Sequence, residues 1–463
     1  MPSSRKFGLG RRTGWEISLW QRGSKTSLGR NSYGCGISLI KGIIVRDRQI
    51  DVRRHIAIAC YLLVGFYLLT ALYLLSGLTG PGRFYRSGIP AGADFLQIWG
   101  ASSLASRGNP ASVYDVAELK KAETVLTGGD FSGNLPWHYP PSFLLLILPI
   151  SSLNYFASLA AWLFIPLVGL LAILYRIFPD RLTIWLALAS IAVANNLYFG
   201  QGAFLITFLM GAGLLLLDCY PILGGIFFCL IINFKPHLGL LIPVALLAGR
   251  KWRALGSLAG ASAVLVLAST WVLGLNCWMA FWNDIPQMRM QLAESGNLWN
   301  RMPTVYGAIR LLGGGYHLAW TVRILVALGA VISVYWVWRN QASLPIRGSA
   351  LVLGTLLATP HAIDYDLVLL LLPIAWMAWE GLNHHWGKKN IFVLAIVWLS
   401  PFMNLISARI GKVHLMPIII GSFMIYLLAR AGGIHGEQQL SPANGQFHSQ
   451  GEGGNKPHAG RKD

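Results

Sequence analysis

Long apolar runs alternate with short polar stretches from Ile56 to about Leu428. Such runs predict membrane-spanning helices, each of which needs roughly 20 apolar residues. Twelve can be placed, and several are shorter than this length, which indicates tilted, re-entrant or fused segments. The predicted spans are Ile56–Leu78, Pro141–Leu153, Tyr155–Phe178, Thr183–Leu197, Ala203–Leu217, Pro221–Leu247, Trp252–Leu275, Leu318–Trp338, Gly348–Thr359, Ile363–Trp379, Ile391–Ile406 and Val413–Leu428. The pattern predicts an all-α polytopic membrane protein with about twelve transmembrane helices.

Positive charge is concentrated before the first span. Residues 1–54 contain twelve Lys and Arg residues and three acidic residues, which predicts a basic cytoplasmic extension that attracts anionic lipid headgroups and does not bind nucleic acid. Residues 55–430 form the predicted transmembrane domain, and the polar stretch 431–463 is predicted to be a disordered cytoplasmic tail. The predicted location is the cytoplasmic (inner) membrane, with both termini cytoplasmic.

The composition excludes several classes of protein. Hydrophobic residues make up 54% and charged residues 12% of the 463 residues, which a soluble protein could not keep off its surface. The five cysteines form no CxxC pair, so neither a disulfide framework nor a zinc site is supported. The sequence contains no GxxxxGK[ST], GxGxxG, HExxH or GxSxG motif. A donor substrate, if there is one, is therefore expected to come from the membrane.

This topology places three polar segments on the external face: Pro81–His138, Asn276–Met302 and the turn Thr359–Asp366. The first segment is a large loop in which Asp94–Arg107 and Val113–Thr127 are predicted to form two amphipathic helices lying in the membrane interface. The residues that could carry chemistry, apart from Lys235, lie in these segments or at their edges.

Asp94 is the candidate catalytic base, because it is an acid held at the membrane surface beside a predicted amphipathic helix. A solvated loop aspartate is the alternative explanation. His138 and Tyr139 close the same loop at the start of the next span, where they could equally be anchors of an aromatic belt. Lys235 lies inside an apolar run and needs a polar cavity or a counter-ion, unless carbonyls freed by Pro236 solvate it.

The turn that contains His361, Asp364 and Asp366 could hold a divalent metal or orient a sugar and a phosphate, and helix capping explains it equally well. Arg310, like Arg289 and Arg301, lies among tryptophans, a mixture typical of contact with lipid headgroups or a phosphorylated amphiphile. Gly200-Gln201-Gly202 interrupts two apolar runs, which a tight helical hairpin also explains.

Four blocks of the chain together resemble the polyprenol-phosphate-mannose-dependent mannosyltransferases of glycosyltransferase family 87, in the GT-C clan. The blocks are Ala93–Trp99 continuing to Tyr114-Asp115, His138–Pro141, Gly200-Gln201 followed by Lys235-Pro236, and Thr359–His361 with Asp364-Tyr365. The resemblance extends from about Asp51 to Arg430. It implies a GT-C-type helical bundle, a lipid-phosphate sugar donor, Asp94 as general base and His361 at the donor phosphate.

We therefore predict a hexosyltransferase, with mannose as the sugar, that uses a polyprenyl-phosphate donor and a lipid or glycan acceptor and inverts the anomeric configuration. His361, Lys235 and Arg310 are predicted to bind the donor phosphate, and His138, Tyr139, Gln201, Asp364 and Asp366 to bind substrate, with no metal and no cofactor. Protein partners are not predicted. A secondary transporter or lipid flippase is the alternative, although the chain has no apparent internal duplication. A scaffold would leave Asp94 and Lys235 unexplained.

Overall fold

The computed structural model describes residues 35–78, 84–85, 88–129, 135–294, 296–383 and 388–440. Within these ranges every regular element is a helix, and one isolated bridge pairs Phe84 with Pro90. Residues from Ala57 onward form one compact unit that contains all the contacts described below. The all-α prediction is confirmed for this part of the chain, whereas most of the basic extension (1–34) and of the predicted tail (441–463) lies outside the described residues.

Up to Ala248 the described residues contain eleven α-helices: α1 (Cys35–Ser76), α2 (Phe95–Ser106), α3 (Val116–Thr127), α4 (Pro141–Ile147), α5 (Tyr155–Ile177), α6 (Arg181–Leu188), α7 (Ile191–Phe199), α8 (Ala203–Leu216), α9 (Pro221–Phe234), α10 (Pro236–Gly239) and α11 (Ile242–Ala248). From Trp252 onward they contain α12 (Trp252–Leu273), α13 (Leu275–Glu294), α14 (Gly296–Trp299), α15 (Val305–Leu311), α16 (Tyr316–Arg339), α17 (Leu344–Ala358), α18 (Leu371–Asn383), α19 (Lys388–Ile410) and α20 (Met416–Leu440). The same described ranges include 3-10 turns at Pro110–Tyr114, Leu148–Ser152 and Asp364–Leu370.

Five helical segments among the described residues are long and apolar enough to cross a membrane: Arg53–Ser76, Tyr155–Ile177, Trp252–Leu273, Tyr316–Arg339 and Lys389–Ile410. A sixth results if α6 and α7, which meet at a bend of 56°, form one broken span. The remaining apolar helices have 10 to 17 residues. These helices identify a multi-pass membrane protein, and the number twelve stays a prediction.

Helix α17 illustrates why some predicted spans are short. Every residue of this helix from Ile346 to Ala358 is buried, so its apolar character reflects the protein core. It packs against α16, α18 and α20. By contrast, Leu62 and Leu69 of α1 are 70% and 68% exposed, as expected of side chains that lipid covers.

At one end of the bundle a single carboxylate joins three helical segments. Asp218, after α8, accepts a hydrogen bond from Lys251 (2.8 Å), next to the start of α12, and another from Arg347 of α17. Lys251 and Arg347 both lie in short polar stretches between predicted spans. The structure thus puts them at the same end of the bundle.

Helix α2, directly after Asp94, is not the interfacial helix that the sequence predicts. Phe95, Leu96, Ile98 and Ala101 are completely buried. Gln97 and Trp99, on other sides of the helix, are only 9% and 7% exposed. It packs against α3 and the Leu148–Ser152 turn. The prediction is wrong because the small and polar residues of α2, such as Ser102, which donates a hydrogen bond to the Leu148 carbonyl (2.9 Å), face other protein segments.

Helix α3 is amphipathic and packs on α2, and its buried face contains an acidic residue. Asp115 caps its N-terminus by accepting hydrogen bonds from two backbone amides, and Gly128 ends it in the left-handed conformation. On its inner face Glu123 is fully buried, and neither of its carboxyl oxygens has a hydrogen-bond partner in the described structure. Burial raises the pKa of Glu123 to about 8, although Lys120 opposes the shift. Glu123 is therefore uncharged at neutral pH.

Because of this raised pKa, we predict that the stability of the folded protein falls as the pH rises. The stabilisation from the neutral Glu123 side chain is fully present below the ordinary glutamate pKa of 4.5, and it is lost as the pH rises through about 8. We expect the melting temperature of the detergent-solubilised protein to fall between about pH 5 and about pH 8.5, and Glu123→Gln to flatten that fall. Glu118→Gln, at the exposed start of the same helix, is the control. An unchanged pH dependence in Glu123→Gln would contradict the assignment.

Candidate active site

The backbone holds Asp94 in place directly before the start of α2. Ala93 has a φ of 26°, a conformation that L-residues rarely adopt and that concentrates at functional sites. The Asp94 amide donates a hydrogen bond to the Phe199 carbonyl (2.9 Å), so the end of α7 holds the start of α2. Asp94 is partly buried among protein atoms. It is not the freely solvated loop aspartate that was the alternative explanation.

Gln201 reaches Asp94 from a turn that depends on a glycine. Gly200 ends α7 with a φ of +66°, and a Cβ there would lie 2.5 Å from the Gly92 carbonyl oxygen and 2.7 Å from Phe95 Cβ. The next residue, Gln201, is buried, and its Nε2 donates to Asp94 Oδ2 (3.1 Å). The Gly200-Gln201 motif therefore has a direct connection to the candidate base.

Arg301 and Asp364 form a two-contact ion pair beside Asp94. The guanidinium donates from Nη2 to Asp364 Oδ1 (3.1 Å) and from Nε to Asp364 Oδ2 (3.3 Å). The Asp364 amide donates in turn to the Arg301 carbonyl (3.0 Å). The guanidinium also lies over the Phe199 ring, 3.6 Å from its centroid, which fixes its orientation. The second and third polar segments, which are predicted to be external, thus meet at this pair.

The backbone around Arg301 is held from the other side by the turn between α19 and α20. His414 is 2% exposed, and its Nε2 donates to the Trp299 carbonyl (2.6 Å). Its Nδ1 contacts the Asn404 side chain (3.1 Å). The end of α14, and with it Arg301, is therefore anchored in the bundle.

Lys235 and Asp366 form a second ion pair, which is buried. The Lys235 ammonium donates to Asp366 Oδ1 (2.7 Å), and the two residues are 4% and 2% exposed. The other Asp366 oxygen accepts a hydrogen bond from the Ile363 amide (2.9 Å), so Asp366 also caps the turn. Lys235 lies at the break between α9 and α10, and its counter-ion is a carboxylate.

These residues form a group that we call the charge cluster: Asp94, Gln201, Lys235, Arg301, Asp364 and Asp366. It has three carboxylates and two cations, and each cation already has one carboxylate partner. Asp94 is the carboxylate left over. Burial raises its pKa and nearby Asp364 adds to the effect, while Arg301, Gln201 and Lys235 oppose it. The cluster therefore contains an acid whose proton affinity is above that of an ordinary aspartate.

The Arg301 guanidinium stays charged. Burial alone would lower the pKa of Arg301, but the Asp364 carboxylate outweighs it and the net direction is upward. Sequence reasoning treated Arg301 only as one of several interfacial arginines. The signal that could have identified it is the turn Thr359–Asp366, which contains two acidic residues and no Lys or Arg, since buried carboxylates need cationic partners.

His138 connects the first of the predicted external segments to the second. Its Nδ1 lies 3.2 Å from Asp284 Oδ2, and its Nε2 lies 2.7 Å from Gln291 Oε1, both on α13. Tyr139 packs on Phe143 and Phe234, with ring centroids 5.3 and 5.4 Å apart. Both side chains thus contact other protein segments. Residues of an aromatic belt would instead face the lipid headgroups and would not need these contacts.

The Tyr139 phenol lies near the candidate base. Burial raises the pKa of Tyr139, the Asp94 charge raises it further, and a hydrogen bond with Gln201 opposes the shift. Gln201 thus interacts with both Tyr139 and Asp94.

His361 lies in the turn just before Asp364. Its ring is 5.8 Å from that of His237, centroid to centroid, and nearly perpendicular to it. Burial lowers the pKa of His361 to about 4, with Asp366 opposing the shift and Lys235 and His138 adding to it. His361 is therefore a neutral imidazole at pH 7, which donates a hydrogen bond from one ring nitrogen and accepts one at the other.

The Arg310 side chain makes its contacts outside the charge cluster. Its Nη1 donates to the Gly314 carbonyl (3.1 Å) and its Nη2 to the Ala293 carbonyl (2.8 Å), and the guanidinium lies 4.2 Å from the Trp299 ring centroid. These contacts tie α15 to the end of α13. Arg301, and not Arg310, is the arginine that the structure brings to Asp94.

The described residues contain no group of three or more His, Cys, Asp and Glu side chains that could hold a metal ion. Asp364 and Asp366, which the sequence offers as possible ligands, are each occupied by a cation. The geometry of this turn therefore favours ion pairing within the protein.

Residues 137–360 match the model of glycosyltransferase family 87. Comparisons with curated proteins and with solved structures gave no match. The matched range contains His138, Tyr139, Gln201, Lys235, Arg301 and Arg310. Asp94 precedes it, and His361, Asp364 and Asp366 follow directly after its end. Residues 137–360 are therefore similar to glycosyltransferase family 87, and the resemblance carried by the motifs is confirmed over this range.

Proposed function

We propose that this glycosyltransferase moves a hexosyl group, mannose as predicted, from a polyprenyl-phosphate donor to a lipid or glycan acceptor on the external face of the cytoplasmic membrane. The observation that carries the proposal is the charge cluster, in which a partly buried carboxylate with a raised pKa lies beside Arg301 and Lys235. The family match supports glycosyl transfer over the transporter alternative.

In the proposed reaction Asp94 removes the proton from an acceptor hydroxyl while that oxygen attacks the anomeric carbon. The bond between the anomeric carbon and the phosphate oxygen breaks, and its electron pair leaves with the phosphate. A single displacement inverts the anomeric configuration, and it requires one base and no second carboxylate nucleophile. Gln201 positions Asp94 through the 3.1 Å hydrogen bond.

We assign the departing phosphate to Arg301, Lys235 and His361. The two cations would share their charge between the paired carboxylates and the phosphate, and neutral His361 would donate a hydrogen bond. Arg301 takes the role that the sequence suggested for Arg310, whose two Nη atoms donate to carbonyl groups. Such fixed groups stabilise the charge that develops in the transition state.

The test is transfer from a defined donor. Membranes that contain the protein receive radiolabelled hexosyl polyprenyl phosphate and a lipid extract, and we expect label in a new glycosylated product. Membranes without the protein are the control, and EDTA should leave the rate unchanged. Transfer from a nucleotide sugar in the absence of polyprenyl phosphate would contradict the donor assignment. Movement of label across the membrane without a new glycosidic bond would contradict the assignment of the protein as a transferase and would favour the transporter alternative.

The raised pKa of Asp94 predicts the pH dependence of the reaction. Only the ionised carboxylate can accept a proton, so activity increases as the pH rises through the Asp94 pKa. We expect the acidic limb of kcat/KM at a higher pH than the roughly 3.9 of an ordinary aspartate. A pH profile of initial rates measures this, and a limb at or below that value would contradict the environment described for Asp94.

A further inference from the structure

A cleft of about 460 Å³ opens between the Pro110–Tyr114 turn, the start of α3 and the middle of α13. Its polar lining consists of Tyr114, Asp115, Asn283, Asp284 and Gln287. Its volume is within the range of about 300–1,000 Å³ that is typical of small-molecule sites. We call it the side cleft.

Two contacts join the side cleft to His138 and Tyr139. The Tyr114 hydroxyl donates to the Tyr139 carbonyl (2.8 Å), and Asp284 contacts His138 (3.2 Å). His138 and Tyr139 are adjacent in the chain, and Tyr139 interacts with Gln201, the partner of Asp94. A molecule bound in the side cleft would therefore lie next to the segment that leads to the base.

The chemistry of the lining indicates what the cleft can bind. Two carboxylates, two amides and a phenol are hydrogen-bonding groups suited to the hydroxyls of a sugar or polyol. None of the described residues that line the cleft is cationic. A phosphate would meet two carboxylates there, which is unfavourable, whereas Arg301 and Lys235 lie in the charge cluster.

We propose that the side cleft is the acceptor site and that it binds an uncharged, hydroxyl-rich sugar or polyol headgroup. This inference rests on the proposed function, because it divides the substrates between two sites. The anionic donor phosphate lies at the charge cluster, and the neutral acceptor lies in the side cleft with one hydroxyl directed toward Asp94.

Asn283 and Gln287 provide the test. They are four residues apart on α13, so they lie on the same face of the helix, and both are solvent-exposed, so their truncation leaves the fold intact. The probes are octyl α-mannoside, octyl glucoside and octyl galactoside, and octyl α-mannoside 6-phosphate serves as the charged comparison. Equilibrium binding is measured with the full chain in nanodiscs, without donor.

We expect at least one neutral octyl hexoside to bind, and the double variant Asn283→Ala/Gln287→Ala to weaken that binding about tenfold, the effect of losing one or two hydrogen bonds. Asn276→Ala, an exposed amide on the same helix outside the cleft, should bind as the wild type does. The 6-phosphate should bind more weakly than the neutral mannoside. In transfer assays the double variant should raise the KM for acceptor and leave the KM for donor unchanged.

Three results would overturn the acceptor site: wild-type protein that binds none of the neutral hexosides, a double variant that binds like Asn276→Ala, or a 6-phosphate that binds as tightly as its neutral counterpart. A raised KM for donor alone would assign the cleft to the donor. Because binding is measured without donor, these failures are distinct from a failure of Asp94 as the base.

Discussion

Asp94→Asn is expected to lower the rate of hexose transfer by about 10²–10⁴-fold, the range that a positioned general base contributes. The amide has nearly the same shape as the carboxylate, and its oxygen can still accept the hydrogen bond from Gln201. It cannot accept a proton from the acceptor hydroxyl. Initial rates with labelled polyprenyl-phosphate donor, at matched protein levels in membranes, measure the effect.

Asp180→Asn is the matched control. Asp180 caps α6 through a hydrogen bond from the Leu182 amide (2.9 Å), and asparagine is an equally good N-cap, so both activity and expression should persist. Asp94→Glu should retain part of the activity, because the carboxylate remains. If Asp94→Asn transfers hexose at the wild-type rate, Asp94 is not the base.

Lys235→Met is expected to have the second large effect, a loss of about 3–5 kcal/mol in the free energy of unfolding. The substitution leaves Asp366 buried at 2% exposure without its cation. The cost comes from the uncompensated charge, since methionine fills a similar volume. Thermal unfolding of the purified protein in detergent measures it as a lower melting temperature.

The double variant Lys235→Met/Asp366→Asn separates stability from function. It removes both charges and retains an oxygen that can accept the hydrogen bond from the Ile363 amide, so we expect much of the stability to return. Activity should stay low, because the ammonium assigned to the donor phosphate is absent. A double variant with wild-type activity would restrict the pair to a structural role.

Lys251→Met is the control for this experiment. Lys251 also pairs with a carboxylate, Asp218, at 2.8 Å, but its side chain is 29% exposed and that of Asp218 is 45% exposed. An exposed pair of this kind contributes about 0–1 kcal/mol. A loss of stability in Lys251→Met as large as in Lys235→Met would contradict the argument from burial.

Several local features of the site could be predicted from the sequence. Pro236 predicts the helix break beside Lys235, and the structure has that break between α9 and α10. Gly200 predicts the turn that carries Gln201. In both cases the residue type itself restricts the backbone, so no knowledge of neighbouring helices is required.

Other features could not be predicted. The small and apolar residues of α2 fit an interfacial helix as well as a buried one, and only the covering segments decide between them. Arg301 and Arg310 are both arginines near tryptophans, yet one pairs with Asp364 and the other binds carbonyl groups. Sequence spacing contains no information on this choice, because it depends on how α14 and α15 pack.

The sequence by itself determined that this is an all-helical, multi-pass membrane protein, because apolar segments must satisfy their backbone hydrogen bonds internally in lipid. Its motifs also indicated the similarity to glycosyltransferase family 87, whose model matches residues 137–360. The tertiary structure decided which charges meet. Lys235 and Asp366 are 131 residues apart, and Arg301 and Asp364 are 63 residues apart. Their pairing arises from helix packing, which brings distant side chains within the few ångströms over which buried charges stabilise each other.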